Sequence, residues 1–430
     1  MEKLKIGVFG ASRGISMMNI LLTHPEAELT AVCDKYVPFL EKVKEIVGKT
    51  GQKISAYEKF DDFIKHPAMD AVVLANYANE HAPFAIKALN AGKHVMSEVL
   101  ACETIAQAVE LIEAVERSGK IYAYAENYCY MDRTFEMWRR YGRGDIGEAL
   151  YGEGSYIHDC ASIAPQITYG DPNHWRNCMH PFFYCTHSFG PLMTITGLRP
   201  IEVTGLQAKP FPKAYKLGLG PLGGGPAGII MVRLENGALM KSIHGSLKRE
   251  PPDVNYEVYG TNGCMFTFSE SIGVEKLSVY LENGKVCNGS TETYLPEKFV
   301  SQDLAAKFGG HGGSDFFPTH FFIQSILGRP EGKKYGIDVY QAVDMTIIGI
   351  LAYRSCLNGG KPVHVPNLRN HEERDQFRND NACTNPEIAG DQVLPIYMGI
   401  ENIPKAPPEA YEHIRQLFLA EKNYTEYKDF

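Results

Sequence analysis

Tyr184-Cys185-Thr186-His187 sets a phenol and an imidazole three residues apart, a spacing that puts both on one side of a helix start. Histidine titrates near neutrality, so His187 suits the removal of a hydroxyl proton. Tyr184 can serve as a second base once a nearby cation lowers its pKa. The same residues equally describe a hydrogen-bonding histidine at a helix start beside a packed aromatic. Upstream, His174-Trp175-Arg176 offers a guanidinium for an anionic or hydroxyl-rich ligand, or a packed tryptophan next to a solvated arginine. His158-Asp159, His174, His180 and His187 fit no zinc spacing, and no metal is expected. Tyrosine and phenylalanine crowd 121–189, where rings either stack on sugar C–H faces or fill a core.

A second constellation opens the chain. Val8-Phe9-Gly10-Ala11-Ser12-Arg13-Gly14-Ile15-Ser16 has the form of a strand, a glycine turn and a helix. There glycine lets the backbone approach a pyrophosphate that rests on the helix N-terminus. The full G-x-G-x-x-G is absent, because Ser12 stands at the second glycine position and Gly14 comes one residue early. Asp34 follows the next strand, 24 residues after Gly10, where a carboxylate accepts hydrogen bonds from an adenosine ribose and repels a 2′-phosphate. This favours NAD over NADP. Taken alone, Asp34 is also a plausible helix cap.

These groups need a scaffold, and the pattern supplies one. Residues 3–125 alternate short apolar runs with helix-length amphipathic segments, the signature of a doubly wound parallel sheet. Strands are predicted at Leu4–Phe9, Leu29–Cys33, Ala71–Ala75, His94–Ser97 and Ile121–Ala125. Helices are predicted over 14–23, 38–48, 81–91 and 104–118, the last capped by Thr104 and Gly119. From about 150 the texture changes to strands at Tyr151–His158, Ile229–Glu235, Leu239–Gly245, Asn255–Tyr259 and Leu277–Leu281. The turn signals Glu235-Asn236-Gly237, Thr261-Asn262-Gly263 and Glu282-Asn283-Gly284 predict hairpins and a largely antiparallel open sheet. Helices are predicted over 186–196, 314–327 and 338–357, with Ser314 as N-cap and Asp315 in the first turn. The expected fold class is α/β: an N-terminal Rossmann domain (1–128), an α+β substrate-binding domain (129–365), and a C-terminal extension (366–430). That extension, helix-like near 408–422, packs on the body or on a neighbouring subunit.

Composition narrows the field. With 430 residues the chain can bury large cores. A net charge of −8 gives no footprint for nucleic acid or an anionic membrane, and no apolar run spans a bilayer. The N-terminus enters a strand at once, and the ten cysteines include no C-x-x-C, so reduced thiols and a cytoplasmic setting are expected.

The run from Asp70-Ala71-Val72-Val73-Leu74-Ala75-Asn76 to Gly92-Lys93-His94-Val95-Met96-Ser97-Glu98-Val99-Leu100 resembles the Gfo/Idh/MocA oxidoreductases, a likeness that covers about residues 3–360. Ordinary members carry Glu-Lys-Pro where this chain has Glu98-Val99-Leu100, and their lysine carries the proton for hydride transfer. Three further clusters resemble a narrower branch, the NAD-dependent α-N-acetylgalactosaminidases of glycoside hydrolase family 109. They are Ala125-Glu126-Asn127-Tyr128-Cys129-Tyr130, the stretch from His174-Trp175-Arg176 to Tyr184-Cys185-Thr186-His187-Ser188-Phe189-Gly190-Pro191, and Gly309-Gly310-His311-Gly312-Gly313-Ser314-Asp315-Phe316. That branch also lacks the lysine. This chain departs from its Tyr-Pro-Thr-His and Glu-Val-Pro at Cys185 and Leu100, so the N-acetylgalactosamine preference is not carried over.

The resemblance implies NAD held by Gly10, Ser12, Arg13, Gly14, Asp34, Asn76, Asn79, His81, Glu98, Asn127, Trp175 and Arg176. It implies catalysis by His187 and Tyr184, with a carbohydrate contacted by Tyr130, His158, His174 and His311. The implied reaction oxidises a sugar at C3, removes the acidified C2 proton, expels the C1 substituent, adds water and restores C3, so that the cofactor is recycled. A sugar 3-dehydrogenase that hands on a 3-keto product, and an inactive NAD-bound sensor, are the competing readings. The resemblance also implies a homo-oligomer, dimer or tetramer.

Overall fold

Short, uniformly apolar strands require cover on both faces, and the N-terminal strands receive it. In the computed structural model, which describes residues 2–177, 179–220, 227–271, 274–285, 288–297, 313–396 and 405–420, they form a six-stranded parallel sheet. Its strands are β1 (Leu4–Phe9), β2 (Ala27–Cys33), β3 (Ser55–Tyr57), β4 (Ala71–Leu74), β5 (His94–Ser97) and β6 (Tyr122–Tyr124), in the order β3-β2-β1-β4-β5-β6. The order reverses between β1 and β4, which opens a crevice at the carboxyl ends of those strands. The helix Ile105–Ser118 has the expected caps: the Thr104 side chain accepts from the Gln107 amide, and Gly119 is left-handed at φ +64°. β3 and the one-turn helix Phe60–Phe63 are additions to the sequence reading, too short to show a period.

The remaining strands are β7 (Ala149–Ile157), β8 (Pro200–Gln207), β9 (Gly228–Leu234), β10 (Leu239–Gly245), β11 (Asp253–Gly260), β12 (Gly263–Ser271), β13 (Val274–Lys285), β14 (Asn288–Tyr294) and β15 (Val363–His364). They build a nine-stranded sheet in the order β14-β13-β12-β11-β7-β10-β9-β8-β15, antiparallel except for the β7–β10 pair. The turns at Glu235-Asn236-Gly237 and Thr261-Asn262-Gly263 join neighbouring strands as expected. Glu282-Asn283-Gly284 does not end its strand: β13 runs on through Lys285, with a shift of register between Glu282 and Lys285. A second correction falls at the helix Phe316–Ile326. Asp315, not Ser314, occupies the N-cap position, and its carboxylate makes no capping bond.

One face of the large sheet carries the helices Thr186–Thr196 and Val339–Leu357. Close approach is made possible by glycine: a Cβ on Gly154 in β7 would lie 1.9 Å from the Ser188 carbonyl oxygen, and one on Gly205 in β8 would lie 2.1 Å from that of Ala352. The extension turns back onto its own chain. Buried Arg374 forks onto Glu116 at 2.7 and 2.8 Å, Arg378 pairs with Glu113, and the helix Pro408–Ala420 sets Phe418 against Phe39 and Tyr169.

Candidate active site

The crevice at the strand ends is a cavity of about 980 Å³, bounded at one end by Asp34 and at the other by Glu98 and Tyr184. Gly10 bends the chain out of β1 at φ +99°, and a Cβ there would meet the Ala75 carbonyl oxygen at 2.3 Å. Gly14 is equally confined, since a Cβ would lie 2.3 Å from the Gly10 oxygen, and it caps the helix Ile15–Thr23. The Asp34 carboxylate accepts from the Ala11 amide at 2.7 Å and the Tyr36 amide at 2.8 Å. Burial raises its pKa against those two donors, and each oxygen keeps a lone pair for a ribose hydroxyl. Asn76 Oδ1 and Asn79 Oδ1 are buried with no partner among the described residues. A tight glycine turn, a seated carboxylate and orphaned amide oxygens together fit a dinucleotide.

At the opposite end Arg13 takes a more specific part than a turn residue. It reaches Glu98 at 2.7 Å and both Asp315 oxygens at 3.3 Å, while Asn127 donates to Asp315 at 2.7 Å. Burial opposes its charge, but Glu98 and Asp315 outweigh burial and hold the guanidinium protonated. The cluster ties the nucleotide turn to the start of the helix Phe316–Ile326. That explains why Asp315 does not cap its own helix.

His187 is placed by backbone chemistry. Pro191 lies four residues on in the same helix and has no N–H to donate to the His187 carbonyl. The Tyr256 hydroxyl of β11 donates to that oxygen instead, at 2.6 Å. The imidazole Nδ1 meets Glu126 Oε1 at 2.7 Å. Glu126 is fully buried just beyond β6, so Nδ1 carries the proton toward the carboxylate and Nε2 is the basic nitrogen. Rings of Tyr128, Tyr156 and Tyr184 surround the imidazole at 4.3, 4.8 and 5.0 Å. Trp175 stacks with Tyr184 at 6.2 Å, and the Arg176 guanidinium lies 4.4 Å from the Trp175 ring and 5.2 Å from that of Tyr184. Burial raises the Tyr184 pKa, and Arg176 is the charge that pulls it back.

The expected residues separate accordingly. Gly10, Ser12, Arg13, Asp34, Asn76, His81 and Glu98 line the cavity. Trp175 and Arg176, expected on the cofactor, line the cavity as well, where they stand against Tyr184. His81 faces the Leu100 and Asn76 carbonyls at 2.9 and 3.3 Å, and burial lowers its pKa to about 4, so it holds the Asn76 loop. His174 packs edge-on against Tyr77 at 4.6 Å, on the Asp34 side of the cavity, and burial takes it down to about 3. His158 sits beyond Tyr156, with Nδ1 2.9 Å from Cys160 Sγ. Tyr130 is a correction: it is buried core, its hydroxyl donates to the Tyr335 carbonyl at 2.8 Å, and its ring packs on Phe317 and Phe321. His311 lies outside the described residues. Glu126 went unassigned in the sequence, although a carboxylate directly after the last parallel strand was a usable signal. Among the described residues no group of three His, Cys, Asp or Glu is placed to hold a metal ion.

Comparison with known proteins agrees with this geometry. Residues 4–126 match the model of the oxidoreductase family with the NAD-binding Rossmann fold. Residues 225–372 match the glycosyl hydrolase 109 C-terminal domain. A glycosyl hydrolase family 109 protein of Saccharopolyspora erythraea is 26% identical, over 85% of this chain and 83% of that one. The aldose-aldose oxidoreductase of Caulobacter crescentus, solved with glycerol, superposes with a TM-score of 0.66 at 17% identity over 85% of this chain and 100% of that one. The scyllo-inositol dehydrogenase of Lactobacillus casei, solved with NAD(H) and scyllo-inositol, gives 0.63 at 19% over 84% and 99%. These two structures share the fold, and the cofactor of this enzyme is NAD.

Proposed function

We propose that this protein is an NAD-dependent glycosidase that oxidises its sugar transiently at C3 and restores it before release. The observation that carries this reading is the Glu126–His187 pair, set beside Tyr184 at the end of a dinucleotide cavity where Val99 offers no proton carrier. Bound NAD supplies a hydride acceptor and, later, a hydride donor. Nε2 of His187 takes the C3 hydroxyl proton, and Glu126 stabilises the resulting imidazolium. Tyr184, its phenolate favoured by Arg176, takes the C2 proton that the neighbouring ketone has acidified. The C1–O bond to the leaving group then breaks by elimination. Water adds at C1 and its proton goes to the departed alkoxide; Tyr184, whose proton has exchanged with solvent, protonates C2, and His187 returns its proton as C3 becomes an alcohol again. The relatives, a glycosyl hydrolase family 109 protein, an aldose-aldose oxidoreductase and a scyllo-inositol dehydrogenase, support a carbohydrate as substrate.

The test is a panel of chromogenic glycosides in deuterated water. Deuterium at C2 of the released sugar is expected, without accumulation of reduced nicotinamide. Unlabelled sugar excludes the elimination route. A second reading, a sugar 3-dehydrogenase, draws on the same pair, because a histidine–carboxylate couple is sufficient for alcohol oxidation. Stoichiometric nicotinamide reduction with intact glycoside selects it.

We infer further that the chain forms a homo-oligomer through the open face of the nine-stranded sheet, where Leu206, Ile229, Leu239 and Tyr259 are exposed; a monomer by light scattering excludes this. The free cysteines among the described residues support a cytoplasmic setting, and fractionation of cells tests it.

A further inference from the structure

Four aromatic side chains from three separate segments meet at the Asp34 end of the cavity. Tyr36 and Phe39 come from the start of the helix Val37–Lys49, Tyr169 from the turn after the helix Ala164–Thr168, and Phe418 from the C-terminal helix Pro408–Ala420. Their rings close a cycle of tilted and edge-to-face contacts: Tyr36–Phe39 at 4.9 Å, Phe39–Tyr169 at 6.1 Å, Tyr169–Phe418 at 5.1 Å and Phe418–Tyr36 at 6.4 Å. All four line the same cavity as Gly10 and Asp34. Asp34 marks the ribose position, so the planar, apolar-faced group that belongs beside this collar is an adenine ring.

The collar is built rather than incidental. Tyr169 holds φ +56°, the one positive φ among the described non-glycine residues, a conformation that a bulky residue adopts only under constraint from its surroundings. The next residue, Gly170, is left-handed too, and a Cβ there would lie 2.5 Å from the Tyr411 carbonyl oxygen and 2.6 Å from the Arg415 nitrogen. Gly218 does the same on the other side, where a Cβ would meet Ile414 at 3.1 Å. Two glycines thus shape a seat for the C-terminal helix, which buries only Ile414 and Phe418 in it. A helix anchored by two side chains is a part that can lift without disturbing either sheet.

We propose that the C-terminal helix is a latch on the adenosine end of the cavity, with Phe418 as the side chain that closes over the adenine and makes the dinucleotide a retained group rather than an exchanging co-substrate. The inference rests on the dinucleotide reading of the cavity. It also suits the proposed reaction, in which the cofactor ends each turnover in the form in which it began.

The test follows release of NADH from the full-length protein by loss of its bound-state fluorescence after a chase with excess NAD⁺. Phe418→Ala is expected to release NADH at least tenfold faster than the parent, and Phe418→Leu to fall between the two. Leu417→Ala and Leu419→Ala, at exposed positions of the same helix (39% and 47%), are expected to match the parent. Equal release from parent and Phe418→Ala overturns the latch, as does equal acceleration by Leu419→Ala, which would report only a loosened helix. If Phe418→Ala does not fold, Phe418→Leu decides alone, and release at the parent's rate overturns the proposal. Glycoside turnover is not read, so a Phe418-dependent release from a protein that cleaves no glycoside keeps the latch and removes only the proposed activity.

Discussion

Glu126 Oε1 lies 2.7 Å from Nδ1 of His187, and this contact joins the end of the parallel sheet to the start of the helix Thr186–Thr196. The carboxylate fixes the tautomer and the ring at once, so that the free nitrogen is Nε2 whatever the ligand. Replacing Glu126 with Gln keeps the shape and removes the charge that stabilises an imidazolium. Turnover of Glu126→Gln is expected to fall by about 10²-fold or more, with His187→Ala at least as low. Both variants should keep their dinucleotide. Rapid-quench turnover alongside cofactor content checks this, and full activity in either variant removes the base assignment.

Arg176 makes a separable contribution. Burial raises the Tyr184 pKa and Arg176 lowers it, so removing the guanidinium lets the phenol titrate at higher pH. Activity that needs the phenolate rises with pH, and its rising limb should therefore move upward in Arg176→Met. Arg176→Lys should restore the limb in part, because an ammonium keeps the charge but not the flat contact with Trp175. A pH profile of kcat/KM reads the shift. An unmoved limb combined with a raised KM would leave Arg176 as a substrate contact only.

The parallel sheet was legible because its strands are short apolar runs punctuated by glycine turns, and the Gly10 turn with Asp34 located one end of the cavity. The helix Thr186–Thr196 was legible too, down to its termini. What one sequence hides is which distant segments meet. Asp315 and Arg13 are 302 residues apart, and the carboxylate left its capping role for a partner that local propensity does not reveal. Phe418 is hidden for the same reason. Tyr130 was misplaced because a tyrosine near a motif carries no mark of whether its hydroxyl faces a ligand or a backbone carbonyl. In β13 the asparagine–glycine signal was overridden by pairing on one side: the ladder with β12 stops at Leu281, but that with β14 runs on to Lys285.

Asp34 should govern both affinity and choice of nucleotide. Its oxygens accept two backbone amides, so Asp34→Asn places an NH₂ group against one N–H donor and removes the charge that repels a 2′-phosphate. NAD affinity is expected to drop by about tenfold, and the preference over NADP to narrow. Titration calorimetry with both dinucleotides gives the ratio. An unchanged ratio would place the discriminating group elsewhere in the cavity.

Stability should fall on mild acidification. Burial lowers the pKa of His81, His94 and His244 to about 4 and that of His180 to about 3. His24, taken to about 4 by burial and by His320, has its Nε2 3.1 Å from Nδ1 of that partner. Glu26 and Glu331 favour protonation of this pair, while Lys3 and Arg329 oppose it. Each depressed histidine is neutral in both folded and unfolded chains above about pH 6.5. As the pH falls from there toward 4, the unfolded chain binds the proton first, so stability is lost at up to about 1.4 kcal/mol per pH unit per histidine. Glu103 and Asp344, which burial raises to about 7 and about 6, bind protons more readily in the folded chain and offset part of this loss, but the histidines outnumber them, so the melting temperature should decline between pH 6.5 and 4.5. His320→Gln, which keeps a hydrogen-bonding partner for His24 but not a second titrating ring, should decline less steeply. A melting temperature that stays level through that window in the parent would mean that these rings do not remain neutral inside the fold.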